Sequence, residues 1–185
     1  MICKNQNGFT LIELIVVIAL AAVLIGIAFF YMGSTGENSR LRAAAADLAS
    51  DMTLARISAI RDTTPWAIRF DPNNNFYVIL NSPGEIFQDP ADPIDWNDGD
   101  ETSLRTVNLP KRIEFGSNQG ELKGVAVGDG VSFANELIVF NPNGTCSGAG
   151  TVYLTAANGR TYAITSLAST GRLKLWQNFG SGWSF

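Results

Sequence analysis

The sequence predicts an α+β fold: one long N-terminal helix, apolar in its first half and amphipathic in its second, joined to an antiparallel β domain. Three observations carry this expectation. Residues Phe9 to Met32 form an apolar run with a single charge, Glu13. Residues 33–63 then place apolar side chains at spacings of three and four. From Thr64 onward the period changes to two, with Asn-Gly turns between short strands. At 185 residues the chain has room for one anchoring segment and one modest globular domain, here 64–185.

The helix follows a short polar leader, residues 1–8, which carries Lys4 and ends in Gly8. A helix over 9–32 at ~1.5 Å per residue would be roughly 36 Å long, enough to cross a hydrocarbon core. A secretory signal peptide has its small-residue cut after the apolar region. Here the polar-to-apolar boundary falls at Gly8-Phe9, so a cut there would retain the apolar helix. Glu13 lies one turn inside that helix. A carboxylate in hydrocarbon is costly unless paired, which makes Glu13 a functional candidate. The plainer alternative is a glutamate snorkelling to the headgroups from near the helix end.

The segment Gly8-Phe9-Thr10-Leu11-Ile12-Glu13 resembles the class III leader junction of type IV pilins and type II secretion pseudopilins. The resemblance implies cleavage after Gly8 by a membrane-embedded prepilin peptidase, and methylation of the new N-terminal residue, Phe9. It also implies that Glu13 pairs with the Phe9 amine of an adjacent subunit during assembly. The expected location is the bacterial inner membrane, crossed once, with the β domain in the periplasm.

Composition excludes several function classes. The net charge of −4, which becomes more negative without Lys4, argues against a general nucleic-acid coat. The chain has no histidine, so Ser-His and Cys-His couples and the common zinc sites are absent. Of the two cysteines, Cys3 lies in the leader, leaving Cys146 without an intramolecular partner after cleavage. Cys146 sits in a turn-like stretch and is expected to be passive, as a turn or half-buried residue. No glycine loop ends in the Gly-Lys-Ser/Thr of a phosphate cradle. The expectation is a non-enzymatic chain with no cofactor, no metal and no small-molecule substrate.

Taken in order, Gly33 and Gly36 mark a flexible point or kink, followed by a stripe of Leu41, Ala45, Leu48, Met52, Ala55 and Ala59. Arg40, Arg42, Asp47, Asp51, Arg56 and Arg61 flank that stripe, and one continuous or gently kinked helix is expected. Strands are expected at Trp66–Phe70 and Phe76–Leu80, around the turn-rich Asp71 to Asn75. Asn81 to Ser103, with Pro83, Pro90 and Pro93, reads as a long surface loop. Leu104–Leu109 and Arg112–Phe115 read as short strands interrupted by Pro110, and Gly116 to Gly130 as a hairpin or a loop. Four further strands, Glu136–Asn141, Thr151–Thr155, Thr161–Ser166 and Arg172–Trp176, are separated by turns at Pro142-Asn143-Gly144, Ala157-Asn158-Gly159 and Thr170-Gly171.

Three fragments resemble the GspH/FimT group of minor pseudopilins and minor pilins. They are the helix end with Asp51, Leu54, Ala55 and Arg56, then Phe140-x-Pro142-x-Gly144, then Ser169-Thr170-Gly171-Arg172. This resemblance implies a long helix packed against two antiparallel sheets, in a subunit of either the type II secretion pseudopilus or a type IV pilus. Its partners would be other pilin-like subunits.

Two segments invite a binding role. The acidic run Asp89 to Glu101 has carboxylates enough for calcium, but Gly99 stands where the third EF-hand ligand belongs, and a solvated acidic loop is the favoured reading. The C-terminal Arg172, Lys174 and Trp176, with Arg160 across the hairpin and Trp183 nearby, combine cations with aromatics. In FimT-like pilins a Gly-Arg-x-Arg pattern near the end has been linked to DNA capture, and here Lys174 replaces the second arginine, losing the bidentate fork. The favoured alternative is a strand with Leu173 and Leu175 toward the core and Arg172 and Lys174 toward water.

Overall fold

The computed structural model describes residues 10–81, 102–122 and 128–185, without the side chains of residues 28–35 and 102. The first element is a 52-residue helix, α1 (Leu11–Asp62). Its start follows from Thr10, whose Oγ1 accepts a hydrogen bond from the Glu13 backbone N–H at 3.3 Å. Thr10-x-x-Glu13 is the sequence form of a capping box, and satisfying early N–H groups fixes where a helix begins. The backbone stays helical through Gly33 and Gly36. The chain divides into two units at Gly36–Glu37.

In the second unit, 37–185, the remainder of α1 packs on two antiparallel sheets. The first has the order β3-β2-β1-β5, built from β1 (Trp66–Asp71), β2 (Phe76–Asn81), β3 (Thr102–Asn108) and β5 (Leu137–Phe140). The second has the order β4-β6-β7-β8-β9, from β4 (Ile113–Phe115), β6 (Gly150–Ala156), β7 (Thr161–Leu167), β8 (Arg172–Asn178) and β9 (Trp183–Ser184). The strands agree with the predicted ones to within one or two residues at most ends. Asn81, Thr102 and Ser103, expected in the long loop, belong to β2 and β3, and β9 had no sequence signal because it is two residues long. The rest of that loop, with Asp89 to Glu101, lies outside the described residues.

The core vindicates the periodicity argument. Leu41, Ala45, Leu48, Met52, Ala55 and Ala59 are each 0% exposed, forming the buried stripe of α1. Ile68, Phe70, Tyr77, Ile138 and Phe140 from the first sheet meet that stripe together with Val152, Leu154 and Ile164 from the second, in one cluster. Gly116 and Gly130 approach closely: an added Cβ at Gly130 would lie 2.1 Å from the Gly116 N.

Two expectations change. Asp51, placed on the polar flank, is buried: its Oδ2 accepts from the Tyr77 hydroxyl at 2.6 Å and from Arg105 at 2.5 Å. The helix turns it toward the sheet because a buried carboxylate becomes tolerable once two donors meet it. Cys146 is also buried rather than half-buried, and belongs to the main core cluster.

Candidate assembly and binding surfaces

In the first unit, the large apolar side chains of Leu11 to Ile27 are exposed around the whole helix, from Leu11 at 76% to Val16 at 49%. A helix segment that is apolar on every side has no amphipathic face. Glu13 is the only charge among these side chains and is also exposed. Gly8 and Phe9, the expected cleavage and methylation positions, lie outside the described residues. Among the described residues no helix is long and apolar enough to cross a membrane. The expected span, 9–32, includes Phe9 and the side chains of 28–32, which are outside the described set.

The three fragments that resembled one family meet in space at one point. Arg56 Nε donates to the Gly144 carbonyl at 3.1 Å. Gly171, at φ +57°, lies against both: a Cβ there would be 2.4 Å from the Gly144 oxygen and 2.8 Å from Arg56 Nε. Only glycine combines that left-handed backbone with so close an approach. The helix end, the first turn and the last hairpin are thereby locked by one guanidinium. A second polar tie, Arg112 Nη1 to the buried Glu37 at 2.6 Å, anchors the start of the packed part of α1.

The predicted cationic-aromatic group is only partly brought together. Arg172, Lys174 and Trp176 alternate along one face of β8, and with Thr165, Ser166, Leu167 and Leu122 they line a groove of about 370 Å³. Lys174 Nζ lies 5.5 Å from the Trp176 ring centroid and 5.0 Å from that of Phe185. Trp176 itself is buried with Leu122, Tyr153 and Ala163, and its Nε1 donates to Thr165 at 3.0 Å, so its faces are not an open stacking platform. Trp183 packs edge-on against Tyr153 at 5.7 Å, part of the same cluster.

Arg160 does not join this group. β7 and β8 pair Thr161 with Asn178 and Leu167 with Arg172, so Arg160 and Arg172 sit at opposite ends of the ladder. At ~3.3 Å per residue that is about 20 Å apart. Of the two leucines expected in the core, Leu173 packs against it but Leu175 is 37% exposed. Among the described residues no group of three acidic or cysteine side chains is spaced to hold a metal.

An apolar helix segment with its capped start at Thr10, leading into an antiparallel two-sheet domain, is the plan of a pilin-like subunit. The model of the prokaryotic N-terminal methylation motif matches residues 3–29. That of the type II transport protein GspH matches residues 44–171, more than half of the chain, and the chain belongs to this family. Among solved structures, the chain is similar to the minor pseudopilin EpsH from the type II secretion system of Vibrio cholerae. The identity is 16% with a TM-score of 0.49, over 74% of this chain and 93% of that one. It is also similar to the solution structure of E. coli GspH, at 14% identity and a TM-score of 0.49, over 78% of this chain and 92% of that one. No curated protein matches the sequence. The family assignment rests on the sequence match.

Proposed function

We propose that this protein is a minor pseudopilin of the type II secretion system, processed after Gly8 and methylated on Phe9, that assembles with other pilin-like subunits. The observation that carries this reading is the joining, in one chain, of the methylation motif at 3–29 to the GspH family domain at 44–171. The protein's role is then mechanical: it adds a subunit to a short filament at the bacterial inner membrane, with its β domain in the periplasm. The exposed apolar side chains of Leu11 to Ile27 support a segment that lies in lipid before assembly and among neighbouring helices after it.

In that setting Glu13 sets the register. A lone carboxylate in an apolar bundle seeks a cation, and the Phe9 amine of the adjacent subunit supplies one. A DNA-capturing subunit of a type IV pilus is the second reading, and its cations would be Arg172 and Lys174 on β8, with Arg160 about 20 Å away along the ladder. The test is complementation of a deletion strain, scored for exoprotein secretion and for the mass of the mature N-terminus. The wild-type gene restores secretion and yields a chain beginning at a singly methylated Phe9. Glu13→Leu leaves the neighbouring amine unpaired in apolar surroundings, a loss of about 3–5 kcal/mol, and weakens association with other subunits by more than about a hundredfold. Normal secretion from a deletion strain, with pili lost instead, would refute the secretion assignment.

A further inference from the structure

A second pocket lies in the globular unit, away from the groove beside β8. It has a volume of about 220 Å³ and is lined by Asn38, Ser39 and Arg42 of α1, by Tyr162 of β7, and by Arg160 and Phe179, which flank β7 and β8. Two arginines therefore line one small cavity. Among the described residues neither Arg42 nor Arg160 has a carboxylate within ion-pair distance, although the chain as a whole is acidic. By contrast Arg105 and Arg112 each close on a buried acid.

The pocket is also built rather than accidental. Arg160 is held over the Phe179 ring, 4.8 Å from its centroid, and that ring packs edge-on against the buried Tyr162 at 5.6 Å. The turn carrying Arg160 is fixed to the helix by the Asn158 amide, which donates to Asn38 Oδ1 at 2.7 Å. Like charges fixed around one cavity repel each other and are stabilised by an anion between them. Planar guanidinium forks with a nearby hydroxyl, Ser39, match the oxygens of a phosphate.

The position along the chain identifies the source. Ten residues lie between Ile27, in the apolar run, and Asn38. Even a fully extended chain of that length keeps the pocket within about 40 Å of the apolar segment. We propose that Arg42 and Arg160 form a binding site for the phosphate of an anionic phospholipid headgroup. This inference rests on the membrane-anchored reading given above. The chain's net negative charge would by itself disfavour an anionic surface, so a preference for such lipids has to come from a local site.

The test uses the full chain in nanodiscs of equal phosphatidylglycerol and phosphatidylcholine, with retained lipids counted by native mass spectrometry. Flotation on vesicles of phosphatidylcholine alone is scored in parallel, so that failure of anchoring is distinguished from failure of the site. The wild-type chain is expected to retain phosphatidylglycerol preferentially. Arg42→Gln, at an exposed position that leaves the core untouched, should lower that retention about tenfold, Arg42→Lys should restore part of it, and Arg40→Gln should have no effect. Equal retention by wild type and Arg42→Gln, or an equal loss in Arg40→Gln, would overturn the site. Displacement of the lipid by millimolar inorganic phosphate, with no preference between headgroups, would assign the pocket to a soluble phosphate and overturn the lipid.

Discussion

Replacing Gly171 with alanine tests the lock between helix and hairpins. The backbone there is left-handed at φ +57°, which costs a non-glycine residue roughly 1–2 kcal/mol. The new Cβ would also sit 2.4 Å from the Gly144 oxygen and 2.8 Å from Arg56 Nε, so both ends of the 3.1 Å bond between them must move. A hydrogen bond involving a charged group contributes about 1.5–3 kcal/mol, and Arg56 is only half-buried, which favours the lower end. The expected total is about 3 kcal/mol. Urea unfolding of residues 37–185, followed by tryptophan fluorescence, would show this as a midpoint lower by about 1–2 M with an unchanged slope. Gly180→Ala is the control, since φ there is +99° but no atom lies within 4 Å of an added Cβ. If Gly171→Ala costs no more than Gly180→Ala, the steric part of the reasoning is wrong. A double variant with Arg56→Ala should be less destabilised than the sum of the two, because both changes break the same contact.

The pair around Asp51 gives two further expectations. Asp51→Ala strands the buried Tyr77 hydroxyl and should destabilise the globular unit by about 2–4 kcal/mol. Asp51→Asn, which keeps a hydrogen-bonding oxygen, should cost clearly less, and equal midpoints for the two would refute the assignment. Burial, and then the bond to Asp51, raises the Tyr77 hydroxyl above its ordinary value near 10. A raised folded-state value means that this stability is complete below pH 10 and is lost as pH rises through and above it. The slope is up to about 1.4 kcal/mol per pH unit. Burial raises Tyr153 in the same direction, so Tyr77→Phe should reduce the alkaline slope without abolishing it, as read from urea midpoints across that range.

The sequence by itself determined the elements and their faces, because those depend on period. The apolar positions 41, 45, 48, 52, 55 and 59 recur at helical spacing, and all six are fully buried. Alternation and Asn-Gly turns likewise marked eight of the nine strands to within a residue or two, and Gly8 to Glu13 pointed to the family that the methylation motif then matched. Tertiary structure alone decided which elements meet. Periodicity says that Asp51 borders a buried stripe but not that Tyr77 and Arg105 will come to meet it. The hairpin left room for Arg160 to join Arg172, whereas strand register places the two at opposite ends of the ladder, and Arg160 lines a pocket with Arg42 instead. The contact of Arg56, Gly144 and Gly171 spans most of the globular unit's sequence. Such contacts follow from how two sheets close over one helix, and packing of that kind leaves no local pattern in the chain.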